Sequence, residues 1–395
     1  MTNVPDGFQE LLSASVGPEQ AQTVLQALQQ APSVSVRLNP SKRQACPFEG
    51  AEKVPWSPYG YLLKERPVFT LDPLFHAGAY YVQDTSAMYV GHVFRQVTAE
   101  LPEGCSVLDL CAAPGGKTTD LAASLRERFG DRYRLLANEV MRNRYSVLRA
   151  NVETWGDPCV NTVSRDPSGF GDEPLFHAIL ADVPCSGEGM FRKDAQAVAE
   201  WSPKTVEFCA ARSRRILSDI WPTLVPGGIL IYSTCTFNHF ENDDTVAWIT
   251  AELGADVLPL PSFPPVVNTR YGQVLLPGLV PGEGQYVAAL RKRCDATPAG
   301  EKNGKAKDAF PGASASFFAT GNALSSAVEA APLVNVDRET ALRYLHGDAI
   351  VLPADAPVGP VTIGFDGLAL GPAKNLGKRC NNLYPKNKRI RMDVP

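Results

Sequence analysis

The chain has 395 residues, 44% apolar and 20% charged, which excludes a disordered chain and suffices for two to three domains at roughly 150 residues each. A net charge of −4 excludes an overall basic surface, so any contact with nucleic acid has to come from a local patch. Nine cysteines, an odd number with no C-x-x-C pair, argue against a disulfide framework and a Cys-rich zinc site, and fit a reducing cytosol. No apolar run reaches the length of about 18 residues that a membrane span needs. The opening Met1-Thr-Asn-Val-Pro-Asp-Gly has no basic start and no apolar run, so no signal peptide is expected.

Residues 1–75 come first. Phe8 to Leu28 carries apolar residues at helical spacing and predicts one or two small helices. Val34-Ser-Val-Arg-Leu predicts a strand. Pro55, Pro58, Pro67 and Pro73, set among aromatics, predict a winding loop.

From 76 to 294 strands alternate with helices. Ser106-Val-Leu-Asp-Leu predicts a first strand and Thr118 to Phe129 a helix. Arg134-Leu-Leu-Ala-Asn predicts a second strand, and Arg144 to Asn151 a second helix. Cys159-Val-Asn-Thr-Val, His177-Ala-Ile-Leu-Ala and Ile229-Leu-Ile-Tyr-Ser predict strands three to five. Helices are expected at about Thr205 to Leu224 and Glu241 to Leu253. Val274 to Leu276 and Gln285 to Leu290 suggest a closing antiparallel pair. Such alternation implies an α/β fold, a doubly wound, mostly parallel sheet covered on both faces. Residues 295–315 read as a linker. Residues 316–395 read as a small module with strands at Ile350-Val-Leu and Val361-Thr-Ile. Its tail, from Lys374 to Arg391, holds seven Lys/Arg and no acidic residue. It reads either as a phosphate-contacting patch or as a solvated end.

The loop after the first strand is Asp109-Leu-Cys-Ala-Ala-Pro-Gly-Gly-Lys-Thr-Thr. Gly115 and Gly116 let the backbone turn sharply and approach a ligand. A Walker A loop would need glycine where Cys111 stands, and the dinucleotide G-x-G-x-x-G is also missing. A plain tight turn remains open. Ligands of doubly wound sheets bind outside the carboxyl ends of the strands. There Glu139 follows strand two, suited to a ribose; Asp166 follows strand three, suited to an adenine amino group; Asp182 ends strand four. Acids without a phosphate consensus suit an adenosine cofactor that bears positive charge and no phosphate, as S-adenosylmethionine does. For each acid a helix cap or loop ion pair is the alternative.

Asp182-Val-Pro-Cys185-Ser-Gly ends strand four, and Tyr232-Ser-Thr-Cys235-Thr ends strand five. Neighbouring strands lie about 4.8 Å apart, so both thiols are expected over one cleft, placed for nucleophilic attack. Cys46, Cys105, Cys159, Cys209, Cys294 and Cys380 read as inert apolar residues. His239 reads as a solvated loop residue.

These motifs resemble the RNA (cytosine-5) methyltransferases of the Sun/RsmF type, bacterial ribosomal-RNA branch. The resemblance rests on Cys111-Ala-Ala-Pro-Gly-Gly-Lys-Thr, Asp182-x-Pro-Cys-Ser-Gly, and Ser233-Thr-Cys-Thr with Glu241-Asn242 following. Arg37-Leu-Asn39, Trp56-x-Pro-x-Gly-Tyr, Asp72-Pro-Leu-Phe-His-Ala-Gly-Ala-Tyr-Tyr-Val-Gln-Asp and Asn381-Asn-Leu-Tyr-Pro-Lys add to it. It implies a Rossmann-like methyltransferase domain over 76–294 with RNA-binding parts at 1–75 and, PUA-like, at 316–395. It implies S-adenosyl-L-methionine held by Cys111, Ala112, Ala113, Pro114, Gly115, Gly116, Lys117, Glu139, Asp166 and Asp182. Cys235 is then the nucleophile on carbon 6 of cytosine, Asp182 stabilises the protonated ring near nitrogen 3, and Cys185 helps resolve the adduct. The target base must leave any stack to reach such a cleft. The expected substrate is 16S ribosomal RNA, methylated by a cytoplasmic monomer without metal or membrane. Transfer RNA as the substrate, a non-catalytic RNA-binding assembly factor, and a nucleotide-dependent ATPase or GTPase built on Gly116-Lys-Thr are the alternatives.

Overall fold

A computed structural model describes residues 4–171, 175–294 and 331–394. The expected linker at 295–315 and the first part of the expected C-terminal module, 316–330, lie outside the described residues.

Nine strands form the central sheet. The parallel strands run in the order Val160–Val163, Arg134–Asn138, Ser106–Asp109, Phe176–Asp182, Leu224–Thr234. Gln285–Lys292 pairs antiparallel with Leu224–Thr234, and Gln273–Leu275 pairs antiparallel with Gln285–Lys292. The fold is therefore the doubly wound α/β sheet that the strand–helix alternation predicts. Successive side chains point to opposite faces of a strand. Leu108, Leu136, Ile179, Leu230 and Ala288 enter one core, which the helices Pro203–Ile220 and Asp243–Glu252 cover. Val107, Leu135, Leu180, Ile231 and Ala289 enter the other, under the helices Thr85–Val97, Gly116–Phe129 and Arg142–Trp155. Polar caps start these helices where the sequence supplies them. Ser202 Oγ accepts from the amide of Thr205, and Asp84 Oδ1 accepts from that of Ser86.

The N-terminal segment forms the two helices Phe8–Val16 and Pro18–Ala27. Their apolar faces complete the first core: Phe8 meets Phe191 at 5.0 Å and Trp201 edge-on at 5.5 Å. A four-stranded antiparallel sheet follows, in the order Glu52–Lys53, Gly60–Leu63, Val34–Leu38, Tyr80–Val82. The proline-rich stretch is thus not all loop, because Gly60–Leu63 falls between two prolines and pairs with Val34–Leu38. All five residues of Val34–Leu38 are buried. The last part of the chain packs the helix Arg338–His346 on the sheet Leu333–Asn335, Gly359–Phe365, Leu368–Asn375, Cys380–Asn382. Ile350 contributes only a single bridge, to Cys380.

One buried cation ties the N-terminal sheet to the central one. Arg37 is inaccessible to solvent. Its Nε donates to Gln83 Oε1 at 2.7 Å, and its Nη2 donates to the Gly116 carbonyl at 3.0 Å and to Thr119 Oγ1 at 2.5 Å. Asp120 lies 3.9 Å away, and the guanidinium stacks over Trp155. Burial pulls its pKa down, and Asp120 opposes that shift. Asn39, two residues on, donates to the carbonyls of Gly78 and Trp155. Removing one partner of a buried charged network costs about 3–5 kcal/mol. Arg37→Ala is therefore expected to lower unfolding stability by that amount, measured by denaturant titration; a loss under about 1 kcal/mol would show that the network is dispensable.

Candidate active site

The register of the two central strands sets the site. Asp182 lies opposite Ser233, so both chains leave the sheet at one level. Cys185 and Cys235 then meet, with their sulfurs 3.1 Å apart. The hydrogen bond to Cys235, followed by burial, pushes the Cys185 thiol well above its ordinary range. Either sulfur can donate in that contact.

Asp182 sits beside the thiols. Its Oδ2 accepts from Lys117 Nζ at 2.9 Å, and its Oδ1 from Ser233 Oγ at 2.8 Å and Gln285 Nε2 at 3.1 Å. Lys117 comes from the first turn of Gly116–Phe129. Burial would lower its pKa, but Asp182 and the Cys235 sulfur more than offset this, and it is raised. The lysine of the glycine loop thus faces the strand-four carboxylate.

The loop from Cys111 to Lys117 is fixed from several sides. Gly115 adopts φ 109°, a conformation side chains rarely tolerate, and caps the helix that begins at Gly116. The Ala112 amide donates to the Asn138 carbonyl at 2.8 Å. The Ala113 carbonyl accepts from Arg144 and the Pro114 carbonyl from Asn151, both at 2.8 Å. The Gly116 carbonyl accepts from Arg37.

Three further acids lie at successive strand ends. Asp109 is fully buried; its Oδ2 accepts from Thr118 Oγ1 at 2.6 Å, while Oδ1 has no hydrogen-bond partner among the described residues. Burial pushes its pKa up to about 7. Glu139 Oε1 accepts from the Met141 amide at 2.9 Å. Among the described residues its Oε2 has no hydrogen bond and lies against the half-exposed Arg144, at 3.2 Å. Asp166 is more exposed and caps the turn Pro167–Phe170, with Oδ1 accepting from the Ser168 amide and hydroxyl. Those hydrogen bonds lower its pKa. The site therefore brings together Cys111–Lys117, Glu139, Asp182, Cys185 and Cys235, with Asp166 at its outer edge.

Sequence reading missed Asp109 as a site acid and missed a buried polar cluster behind the thiols. Glu188 is 1% exposed and Glu241 is inaccessible. The only available signal was two acids placed three and six residues beyond the two cysteines. His239 is half-buried and pairs with Asp244 at 2.8 Å. All nine cysteines are free, Cys105, Cys209 and Cys380 being buried and Cys294 exposed. Among the described residues no group of three or more His, Cys, Asp or Glu could hold a metal ion, and no helix is long and apolar enough to cross a membrane.

Three family models match successive parts of the chain. That of the N-terminal domain of 16S rRNA methyltransferase RsmF matches residues 4–85, that of the 16S rRNA methyltransferases RsmB/F matches 97–291, and that of the methyltransferase RsmF PUA domain matches 331–390. Ribosomal RNA small subunit methyltransferase F of Cronobacter sakazakii is 36% identical over 261 residues, 62% of this chain and 52% of the relative. Its counterpart in Klebsiella pneumoniae is 39% identical over 241 residues, 58% and 49% of the two chains. The match thus spans about half the length of these curated relatives. Among solved structures, a methyltransferase homolog protein from Pyrococcus horikoshii superposes with a TM-score of 0.60 at 25% identity, over 74% of this chain and 96% of that one. The chain belongs to the family of the RsmB/F 16S rRNA methyltransferases.

Proposed function

We propose that the chain is an S-adenosylmethionine-dependent methyltransferase that acts on carbon 5 of a cytosine in 16S ribosomal RNA, in the cytoplasm and as a monomer. The observation that carries this reading is the 3.1 Å contact of Cys185 and Cys235 beside the Lys117–Asp182 pair. In this division of the chain, residues 76–294 are the catalytic domain, 1–75 and 316–395 bind RNA, and 295–315 link them.

The residues fit the cofactor. Asp109 Oδ1 and Glu139 Oε2 are buried acceptors without hydrogen-bond donors, at the ends of adjacent strands. Buried acceptors of this kind suit a ligand that brings hydroxyl and ammonium donors. Cys111, Ala112, Ala113, Pro114, Gly115, Gly116, Lys117, Glu139, Asp166 and Asp182 would hold it, with Glu139 on the ribose hydroxyls and Asp166 on the adenine amino group. The half-exposed Arg144 lies against Glu139 Oε2 at 3.2 Å, where a ribose hydroxyl would compete with it. Bound there, the cofactor supplies an electrophilic methyl group.

Carbon 5 of cytosine is a poor nucleophile until something adds at carbon 6, and a thiolate is suited to that addition. We assign the attack on carbon 6 to Cys235, the role that the resemblance of Ser233-Thr-Cys-Thr implies for it. Asp182, fixed on both oxygens, stabilises the protonated ring near nitrogen 3. After methylation Cys185, as its thiolate and 3.1 Å from Cys235, takes the carbon 5 proton, that C–H electron pair re-forms the carbon 5–carbon 6 double bond, and Cys235 leaves carbon 6 as a thiolate. Cys185 assists that release.

Cys235→Ser is expected to abolish both methylation and the covalent protein–RNA adduct, since a hydroxyl forms its anion far less readily than a thiol. Cys185→Ser is expected to attack and methylate but to release poorly, giving a band of reduced mobility on a denaturing gel. The trapped band in Cys235→Ser, and none in Cys185→Ser, would reverse the roles. For the cofactor, Glu139→Ala is expected to weaken S-adenosylmethionine binding by about 1.5–3 kcal/mol in a calorimetric titration, and undiminished affinity would move the ribose elsewhere. For RNA, Lys374, Lys378, Arg379, Lys386 and Arg391 are exposed. Neutralising them should flatten the log–log salt dependence of binding by roughly 0.7–0.9 per lost phosphate contact, and an unchanged slope would leave the tail as a solvated end.

A further inference from the structure

The two cysteine loops are held by each other. The loop after Cys185 carries Glu188, whose side chain binds the loop after Cys235. Glu188 Oε2 accepts from the Phe237 amide at 2.6 Å and the Asn238 amide at 3.2 Å. The loop after Cys235 carries Glu241, whose side chain binds the loop after Cys185. Glu241 Oε2 accepts from the Ser186 amide at 2.9 Å, and Oε1 from the Ser186 hydroxyl at 2.5 Å. The two carboxylates meet on Asn238, which donates Nδ2 to Glu188 Oε1 at 2.9 Å and to Glu241 Oε1 at 2.8 Å. Trp201 Nε1 adds a fourth donor to Glu188 at 3.1 Å. A backbone bond runs in parallel, from the Gly189 amide to the Cys235 carbonyl at 2.8 Å.

We propose that Glu188 and Glu241 are positioning residues that form a reciprocal clamp, Glu188 holding the Cys235 loop and Glu241 the Cys185 loop, so that each carboxylate governs a different step of the reaction. The inference rests on the roles assigned above to the two thiols.

The amide that Glu241 holds belongs to the peptide bond that follows Cys185, and the amides that Glu188 holds lie two and three residues after Cys235. Neither carboxylate has a hydrogen bond to a sulfur among the described residues, so both act on the backbone that carries it. Buried carboxylates are costly unless their lone pairs are filled, and such groups fix geometry where they occur. Burial pushes Glu241 up to about 7 even with these donors in place. Two loops that only needed to pack could have done so with apolar side chains at lower cost.

The test separates the two halves. Glu241→Gln turns an amide NH2 toward the donors of Ser186 and loosens the Cys185 loop. Glu188→Gln does the same to the Cys235 loop. Each variant is incubated with S-adenosylmethionine and RNA, and the covalent adduct is read on a denaturing gel beside Cys185→Ser. Losing a hydrogen bond to a charged group corresponds to about tenfold or more. Glu241→Gln is expected to accumulate adduct about tenfold above the native level, as Cys185→Ser does. Glu188→Gln is expected to form adduct about tenfold more slowly and to accumulate none. Ser186→Ala, which deletes a single hydroxyl, should accumulate adduct more weakly than Glu241→Gln and answers the question if the glutamine variant fails to fold. Calorimetric S-adenosylmethionine affinity should be native in all three. If Cys185→Ser traps adduct while Glu241→Gln and Ser186→Ala do not, the clamp is overturned and the thiol roles stand. If Glu188→Gln and Glu241→Gln lose activity in parallel without adduct, the cluster is only structural. If Cys185→Ser itself traps nothing, the thiol assignment fails and the clamp proposal with it.

Discussion

Everything at the site depends on the parallel pairing of Phe176–Asp182 with Leu224–Thr234. Asp182 opposite Ser233 puts both strand ends level, and the two cysteines follow within three residues. No contact between the thiols is needed to set this register. A slip of one residue would send Leu230 and Tyr232 to the face now filled by Ile229 and Ile231, and both faces are packed. Each such side chain is worth about 1.5–3 kcal/mol of burial, so the slipped register is strongly disfavoured. Apolar alternation in the strands thus positions polar chemistry at their ends.

The buried charges around this frame differ in what their oxygens and nitrogens find. Arg37 and Glu188 have dense sets of partners within the chain, and each of them bridges distant segments. Asp109 and Glu139 each keep one oxygen without a hydrogen bond, although both are buried. An unsatisfied buried acceptor costs about 1–3 kcal/mol, which stability alone would not retain. Asp109 and Glu139 stand at the ends of the adjacent strands Ser106–Asp109 and Arg134–Asn138, whereas Asp120 and Glu283, which also keep one oxygen without a hydrogen bond, lie against Arg37 and Arg192. Burial that raises Asp109 to about 7 belongs to the same imbalance, since its one internal donor, Thr118, does not cover both oxygens.

How far this was legible in the sequence follows from how local each signal is. The five parallel strands were readable because each is a short apolar run ending in punctuation; their order came from the sheet itself. The strand ends then placed Glu139, Asp182, Cys185 and Cys235 without further help. The sheet strand Gly60–Leu63 was hidden among prolines, which mark turns but also flank edge strands. The strand Leu368–Asn375 was missed because Gly371 and Pro372 interrupt its pattern. Arg37-Leu-Asn39 stood out as a motif, but nothing near it in sequence shows that the partners of Arg37 stand 46 to 82 residues away. Glu188 went unnoticed, and Glu241 registered only as part of a motif, for the same reason: their partners lie on each other's loops, a relation that exists only once the sheet has formed.

The C-terminal module shows how a chain of net negative charge can present a basic surface. The module meets the rest of the protein through a few specific contacts. Arg338 donates to the Leu71 carbonyl at 2.8 Å, Arg43 pairs with Asp366 at 2.5 Å, and Lys388 pairs with Glu153 at 3.2 Å. Ala77 of the N-terminal segment enters the module's apolar core. The tail's cations are therefore sorted by geometry. Lys388 is spent on the seam with the helix Arg142–Trp155, and Arg389 turns inward to the Tyr384 carbonyl. Lys374, Lys378, Arg379, Lys386 and Arg391 stay exposed. Exposed charges act over roughly a Debye length of about 8–10 Å. A cluster of like charges within one small module therefore sums locally, whatever the acidic residues elsewhere contribute to the total.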